Sequence, residues 1–160
     1  MKNYIDDFYW VVKPSKIVDA RYIADNMREQ DTKEVLALGH KPYDSLVYAI
    51  SHDEAQTFTL FYGKEPVLIF GTVGEGVGVA RLWMLATDKA FTKPKRLAFM
   101  SKAWVDLLQK PYNYIYNYVW LGNDKAIRLL EYLNCKFDKV PITKKNLNFV
   151  KFSRCKTYKN

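Results

Sequence analysis

The sequence predicts a mixed α/β (α+β) fold in which helices pack against a mixed sheet. Its composition supports a core of this kind, because the 160 residues are 49% hydrophobic and 16% aromatic, too apolar for a disordered chain. The hydrophobic periodicity along the chain indicates the fold class. Stretches with the two-residue repeat of strands alternate with stretches in which apolar residues recur at helical spacing. The whole chain, 1–160, is predicted to form a single domain.

The N-terminal half predicts one strand, three helices and then three strands. Apolar residues recur at helical spacing after Pro14, and prolines or glycines separate the later elements. The predicted elements are a strand at 8–13, helices at 14–27, 32–38 and 43–52, and strands at 56–62, 67–72 and 79–87.

The segment GTVGEGVG, 71–78, holds four of the seven glycines and raises the question of a phosphate-binding loop. A dinucleotide-binding fingerprint needs a third glycine at fixed spacing and a helix directly after it, and this segment lacks both. A P-loop that starts at Gly71 has Val77 where its lysine must stand. Glycines also supply the positive φ of tight hairpins, so the segment is predicted to turn the chain between two strands.

The C-terminal half predicts an alternation of helices and strands that ends in a basic segment. Leu97, Met100 and Trp104 lie on one face of the first helix, and Ala126, Leu129 and Leu130 on one face of the second. The predicted elements are helices at 94–109 and 123–133 and strands at 112–121, 136–140 and 148–152.

This second half, with its basic loop and its Asn-x-x-Ala-x-x-Leu helix, resembles the GNAT family of acyl-CoA-dependent N-acetyltransferases over about 79–137. The resemblance implies a mostly antiparallel, twisted sheet of about six to seven strands, flanked by helices. It also implies a splayed central strand pair, with the arm of acetyl-CoA in the gap between the strands. The activity implied is acyl transfer to an amine, and protein amines are among the candidate acceptors.

In that family, backbone amides at the start of the helix hold the pyrophosphate of coenzyme A, as a helix N-terminus favours anions. Here Arg96 stands in place of a glycine, and Pro94 removes one amide. Asn123 opens the second motif and is expected to cap its helix. The residues that the resemblance assigns to the cofactor are Leu85, Ala86, Lys93, Lys95, Arg96, Leu97, Ala98 and Asn123.

The resemblance leaves the catalytic groups unassigned. Leu130 stands where many family members have a tyrosine that protonates the departing thiolate, and Tyr116 or Tyr118 is a substitute from the neighbouring strand. Carboxylates in the region bordering the acceptor site are candidate bases, although such groups on short helices usually face solvent. These are Glu29, Asp31 and Glu34.

Neither His40 nor His52 has an acidic residue or a cysteine at a spacing typical of metal ligands, so no metal site is predicted. Aromatic residues alternate in YNYIYNYVWL and therefore share one face of a strand. Such a row packs under a helix, lines a groove or stacks on the bases of single-stranded nucleic acid. The first two roles are favoured over nucleic-acid binding.

The net charge of +8 is concentrated in 136–160, which carries +7. Such a segment contacts nucleic acid, an acidic partner or an acidic cofactor, or keeps the surface solvated. No apolar run reaches the roughly 18 residues of a membrane span, and the start does not resemble a secretory signal. Cys135 and Cys155 are predicted to be reduced, and the protein is predicted to be cytoplasmic.

The N-terminal stretch DARYIADNMREQDTKEVLALG, together with the altered cofactor loop, is similar to small GNAT-like proteins of short-tailed bacteriophages. That group contains internal virion proteins as well as acetyltransferases. The resemblance therefore implies an alternative to the enzyme: a GNAT-fold phage protein without catalysis, which acts in the virion, in assembly or on a host factor. Its location would be the host cytoplasm or the virion. The oligomeric state does not follow from the sequence.

Overall fold

The computed structural model describes residues 10–157, in which one sheet separates two layers of helices. The strands are β1 (Trp10–Pro14), β2 (Ala55–Tyr62), β3 (Glu65–Gly74), β4 (Val79–Ala86), β5 (Tyr114–Trp120), β6 (Lys136–Phe137), β7 (Ile142–Lys144) and β8 (Leu147–Cys155). The helices are α1 (Ile17–Asp25), α2 (Glu29–Ala37), α3 (Pro42–Ser51), α4 (Pro94–Gln109) and α5 (Asp124–Tyr132), with a short 3-10 helix at Asp88–Phe91.

The strand order is β1-β2-β3-β4-β5-β8-β6, and β7 pairs with β8 beside β6. Every neighbouring pair is antiparallel except β4 and β5, which are parallel. The predicted mixed, mostly antiparallel sheet is therefore confirmed. Within the described residues it has eight strands, because the short polar strand β7 adds one that the sequence pattern did not indicate.

Successive side chains along each strand point to opposite faces of the sheet, so a separate hydrophobic core forms on each face. On one face, Ile69 of β3 and Leu85 of β4 pack with Ile23 of α1 and Leu46 of α3. On the other face, strand residues pack under α4 and α5. They form a cluster with Val105, Leu108, Ile115, Val119, Leu130, Val150 and Phe152.

The element boundaries agree closely with the sequence pattern in the C-terminal half. Helix α4 begins at Pro94 and ends at Gln109, as predicted, because proline is well placed in a first helical turn. Helix α2 begins at Glu29, three residues before its predicted start, since the carbonyl of Arg28 already accepts the N–H of Thr32. Residues 8 and 9 of the first predicted strand lie outside the described residues.

The GTVGEGVG segment ends β3 and turns the chain into β4, as predicted. Gly76 and Gly78 in the turn have φ of 122° and 74°. Residues with a side chain rarely adopt such backbone angles. Gly71 lies within β3, where a Cβ atom would come 1.9 Å from the carbonyl oxygen of Gln56 on β2. This glycine therefore permits close approach of two strands.

The thiols of Cys135 and Cys155 are both free, as predicted. No helix in 10–157 is both long enough and apolar enough to cross a membrane. The same part of the chain places no group of three or more His, Cys, Asp or Glu side chains where a metal ion could bind.

Candidate functional site

The parallel strands β4 and β5 separate after three paired residues, and a cavity opens between them. The pairs are Val79 with Tyr114, Ala80 with Ile115 and Arg81 with Tyr116. One residue further along, the Asn117 side chain donates from Nδ2 to the carbonyl of Leu82 at 3.0 Å and bridges the gap. Beyond that bridge the two strands are not paired with each other, although β4 stays paired with β3 and β5 with β8, so the predicted splayed pair is confirmed.

The cavity between the diverging strands has a volume of about 800 Å³ and a mainly apolar wall. Leu82 and Met84 line it from β4, Met100 and Trp104 from α4, and Leu129 from α5. Helix α2 contributes the polar side chains Asp31 and Glu34 from the opposite face of the sheet. The cavity therefore passes through the sheet and joins its two helical layers.

Helix α2 closes the cavity where the two strands end. Asp31 Oδ2 accepts the backbone N–H of Ala86 at 2.9 Å, and Glu34 Oε1 accepts the N–H of Trp120 at 3.0 Å. The backbone N–H of Arg28 donates to the carbonyl of Ala86 at 2.9 Å. Since Asp31 and Glu34 are nearly one helical turn apart, a single helix face bonds the ends of both strands.

A buried polar network connects this helix face to the start of α5. The Asn123 amide donates to Glu34 Oε1 at 3.0 Å and to Asp31 Oδ1 at 3.3 Å. Arg28 Nη1 donates to Asp31 Oδ1 and Arg28 Nη2 to Asn123 Oδ1, each at 3.2 Å. Arg28 and Asp31 are 2% exposed and Asn123 is 1% exposed, so the three side chains are enclosed by protein.

Burial raises the pKa of both carboxyl groups in this network. The pKa of Glu34 rises to about 7, because loss of solvent outweighs the hydrogen bond from Asn123. The pKa of Asp31 is also raised by burial, while the Arg28 charge and the N–H of Ala86 oppose the shift. The pKa of Glu34 therefore lies close to neutral pH, and its side chain lines the cavity.

The residues predicted to bind the cofactor divide into two groups. Leu85, Leu97 and Asn123 line the cavity, and the main-chain groups of Ala86 are bonded to α2. Four others lie outside the cavity wall, at the start of α4: Lys93, Lys95, Arg96 and Ala98.

The basic side chains at the start of α4 face the other edge of the sheet. The Arg96 guanidinium lies 5.2 Å from the centre of the Trp10 ring, and Lys93 Nζ lies 5.6 Å from that of Tyr62. In the short 3-10 helix before α4, the centre of the Phe91 ring lies 4.2 Å from the Arg28 guanidinium. A buried cation therefore lies between this 3-10 helix and the side chains of Asp31 and Asn123.

These contacts bear on whether the cleft fits the arm of an acyl-CoA. The family resemblance assigns Ala86 and Asn123 to that arm, and α2 already bonds the main chain of Ala86 and the Asn123 amide. Asn123 occupies the predicted N-cap position of α5, but its side chain makes no capping bond, since its amide bonds Asp31 and Glu34 instead. In this arrangement the residues at the strand ends do not fit an acyl-CoA arm.

The carboxylates near α2 differ from their expected exposure. Glu29 faces solvent beside Lys33 at 3.0 Å, in keeping with the usual behaviour of such groups. Asp31 is instead buried and Glu34 is half-buried at the wall of the cavity, which the sequence pattern did not indicate. Arg28 is a further site residue that the sequence analysis missed. A single arginine before a helix gives no sign of burial, and only its spacing to Asp31 was available as a clue.

The histidines lie apart from each other. His40 lines the outer part of the cavity, between α2 and α3. His52 accepts the N–H of Glu54 on Nδ1 at 3.0 Å, and its ring centre is 5.2 Å from that of Tyr48. Of the two tyrosines considered as acids, Tyr118 lines the cavity, whereas Tyr116 donates its hydroxyl to Glu75 at the opposite end of β5.

The fold is that of GNAT acetyltransferases. The ribosomal-protein-S18-alanine N-acetyltransferase from Escherichia coli superposes with a TM-score of 0.69 at 12% identity, covering 94% of this chain and 96% of that chain. The spermidine N-acetyltransferase from Vibrio cholerae, in complex with CoA and spermine, gives 0.64 at 13% identity, with 92% and 96% covered. AAC(6')-Ib in complex with ribostamycin and coenzyme A gives 0.65 at 14%, with 91% and 93% covered.

Sequence comparison identifies the family within this fold. A family model described as "Bacteriophage T7, probable scaffold protein Gp13" matches residues 56–140. That range is more than half of the chain and includes the splayed strands, α4 and α5. The chain belongs to this phage protein family. A search of curated proteins found no match.

Proposed function

We propose that this chain is a GNAT-fold protein of phage particle assembly, of the internal virion or scaffold type, that does not catalyse acetyl transfer. The family description, a probable scaffold protein, supports the biological role. The observation that carries the proposal is the closed end of the cleft, where α2 bonds both main-chain groups of Ala86 and the N–H of Trp120.

Opening this end for a ligand would be costly. It would break the hydrogen bonds that Asp31 and Glu34 accept from Ala86, Trp120 and Asn123, and a hydrogen bond to a charged group typically contributes about 1.5–3 kcal/mol. An opening cost of about 4 kcal/mol weakens apparent affinity roughly 1,000-fold, which turns micromolar binding into millimolar binding. To bind with micromolar affinity, a cofactor would then have to make new contacts worth about as much free energy as the opening costs.

The test is complementation of a phage from which the gene for this chain has been deleted. We expect the wild-type chain and a Lys95→Glu/Arg96→Glu variant to restore infectious particles equally. If the chain does not bind a cofactor, these two basic side chains have no phosphate group to hold. A Lys64→Glu/Lys110→Glu variant is the charge-matched control at exposed positions. The proposal fails if the wild-type chain and the control restore particles while the first variant, shown by circular dichroism to be folded, does not.

A second candidate function, acyl-CoA-dependent transfer to an amine, is favoured by one specific observation. Glu34 faces the cavity with a pKa of about 7, so near neutral pH it is available to accept a proton from an incoming amine. This function requires α2 to leave the strand ends first. It predicts acetyl-CoA binding, which the assembly role does not.

A further inference from the structure

The tyrosines of β5 lie on the same face of the sheet as α1 and α3, but on a strand away from those that these two helices contact. Ile115 and Val119 point to the core under α4 and α5, so the alternate residues Tyr114, Tyr116 and Tyr118 point to the opposite face. On that face α1 and α3 contact β2 and β3, nearer the other edge of the sheet. The three rings are half-buried side by side. We call this surface the tyrosine face.

The three tyrosine rings form a continuous row along β5. The ring centres of Tyr114 and Tyr116 are 5.7 Å apart with planes at 24°, and those of Tyr116 and Tyr118 are 6.5 Å apart at 82°. Lys151 Nζ lies 4.9 Å from the ring centre of Tyr116 and 5.5 Å from that of Tyr114. The contacts with Lys151 involve a long flexible side chain, which can swing aside without disturbing the core.

Cationic side chains flank this row of rings on both sides of β5. Arg81 on β4 pairs with Tyr116, and its guanidinium lies 5.3 Å from the ring centre. On the other side, Tyr118 pairs with Lys151 and Tyr116 pairs with Ser153, which in turn pairs with Lys136 on β6. Residues paired across a sheet share one face, so Arg81, Lys136 and Lys151 surround the rings.

Two acidic groups lie within this surface. Glu75 accepts the Tyr116 hydroxyl and an N–H of Arg81, and it thereby fixes the ring and the guanidinium beside each other. Asp138 lies next to Lys151, because its backbone N–H donates to the Lys151 carbonyl at 2.9 Å. Three cations, Arg81, Lys136 and Lys151, surround the rings, so they exceed these two carboxylates by one charge. The surroundings of the rings therefore carry a net positive charge.

We propose that the tyrosine face binds single-stranded nucleic acid, with bases stacked on the tyrosine rings and phosphates on the flanking cations. Bases stack on aromatic side chains regardless of sequence, and a cationic border attracts the backbone. Single strands fit better than a duplex, because paired bases keep their faces hidden from a sheet surface. Tyr118 also lines the cavity, whereas Tyr114 and Tyr116 lie outside its wall, so stacking on those two rings uses a surface beyond the closed end of the cleft.

Fluorescence anisotropy with the full chain and a labelled oligodeoxythymidine of about 20 nucleotides tests this binding. We expect binding at low salt that weakens steeply as salt rises, and weaker binding of a duplex of equal length. Tyr116→Leu is expected to weaken binding roughly tenfold, whereas Tyr116→Phe keeps the ring and stays within about twofold. Tyr132→Leu, at an exposed position on α5, is the matched control and is also expected to bind as wild type.

Several outcomes would overturn the proposal. These are absence of binding at low salt, equal binding of duplex, or equal loss with Tyr116→Leu and Tyr116→Phe. Equal competition by polyglutamate would indicate an acidic protein partner bound by charge alone, which also contradicts it. If circular dichroism shows that Tyr116→Leu does not fold, Tyr114→Leu takes its place, with the same expected loss.

Discussion

The carboxyl group of Glu34 shows, at the scale of one residue, how the closed cleft affects stability. Burial raises its pKa from 4.5 to about 7 in the folded protein. Between these values the folded state binds more protons than the unfolded state, so the free energy of unfolding falls as pH rises from about 4.5 to about 7. Above pH 7 the charged group is a persistent cost to folding.

Glu34→Gln removes this titration and keeps an oxygen that accepts the N–H of Trp120. We expect the variant to exceed wild type in free energy of unfolding by about 1–3 kcal/mol at pH 8, with the difference shrinking towards pH 4.5. Urea unfolding across this pH range measures it. Glu29→Gln is the control, because its side chain is 76% exposed and should show no such trend. A pH-independent difference for Glu34→Gln would contradict the assigned pKa.

The hairpin of β2 and β3 shows, at the scale of elements, why a glycine stands inside a strand. A Cβ atom at Gly71 would meet the backbone of Gln56, which cannot move without opening the sheet. Gly71→Ala is therefore expected to cost more than about 3 kcal/mol, among the large effects of single substitutions. Gly39→Ala is the comparison, because Gly39 has φ of 86° with open space around it. Its expected cost is about 1–2 kcal/mol.

Thermal and urea unfolding of both variants separate these two causes. Equal losses would show that the sheet adjusts to a Cβ atom at Gly71, so that the contact with Gln56 costs no more than the positive φ of Gly39.

Elements with strong periodicity were predictable from the sequence, and short polar ones were not. The apolar face and the leading Pro94 define α4 to the residue. Strand β7 consists of Ile142, Thr143 and Lys144, all exposed, so neither burial nor alternation marks it. The predicted strand at 136–140 is shorter than expected and ends at Phe137.

The splayed strands were predicted through the family resemblance, but the contents of the cleft were not. Asp31 and Glu34 lie on a helix of low hydrophobicity where carboxylates usually face solvent. Their burial depends on contacts with Ala86 and Asn123, which are 55 to 92 residues away in sequence. A sequence pattern reports neighbours along the chain, and these partners meet only when the whole molecule folds.

For the whole molecule, the central claim is that its own α2 closes the gap where an acyl-CoA arm would lie. Calorimetric titration of acetyl-CoA into the full chain tests this claim most directly. We expect no saturable heat up to millimolar cofactor, because binding would first have to break the buried bonds of Arg28, Asp31 and Asn123. Saturable one-to-one binding in the micromolar range, weakened by Arg96→Glu, would contradict the claim.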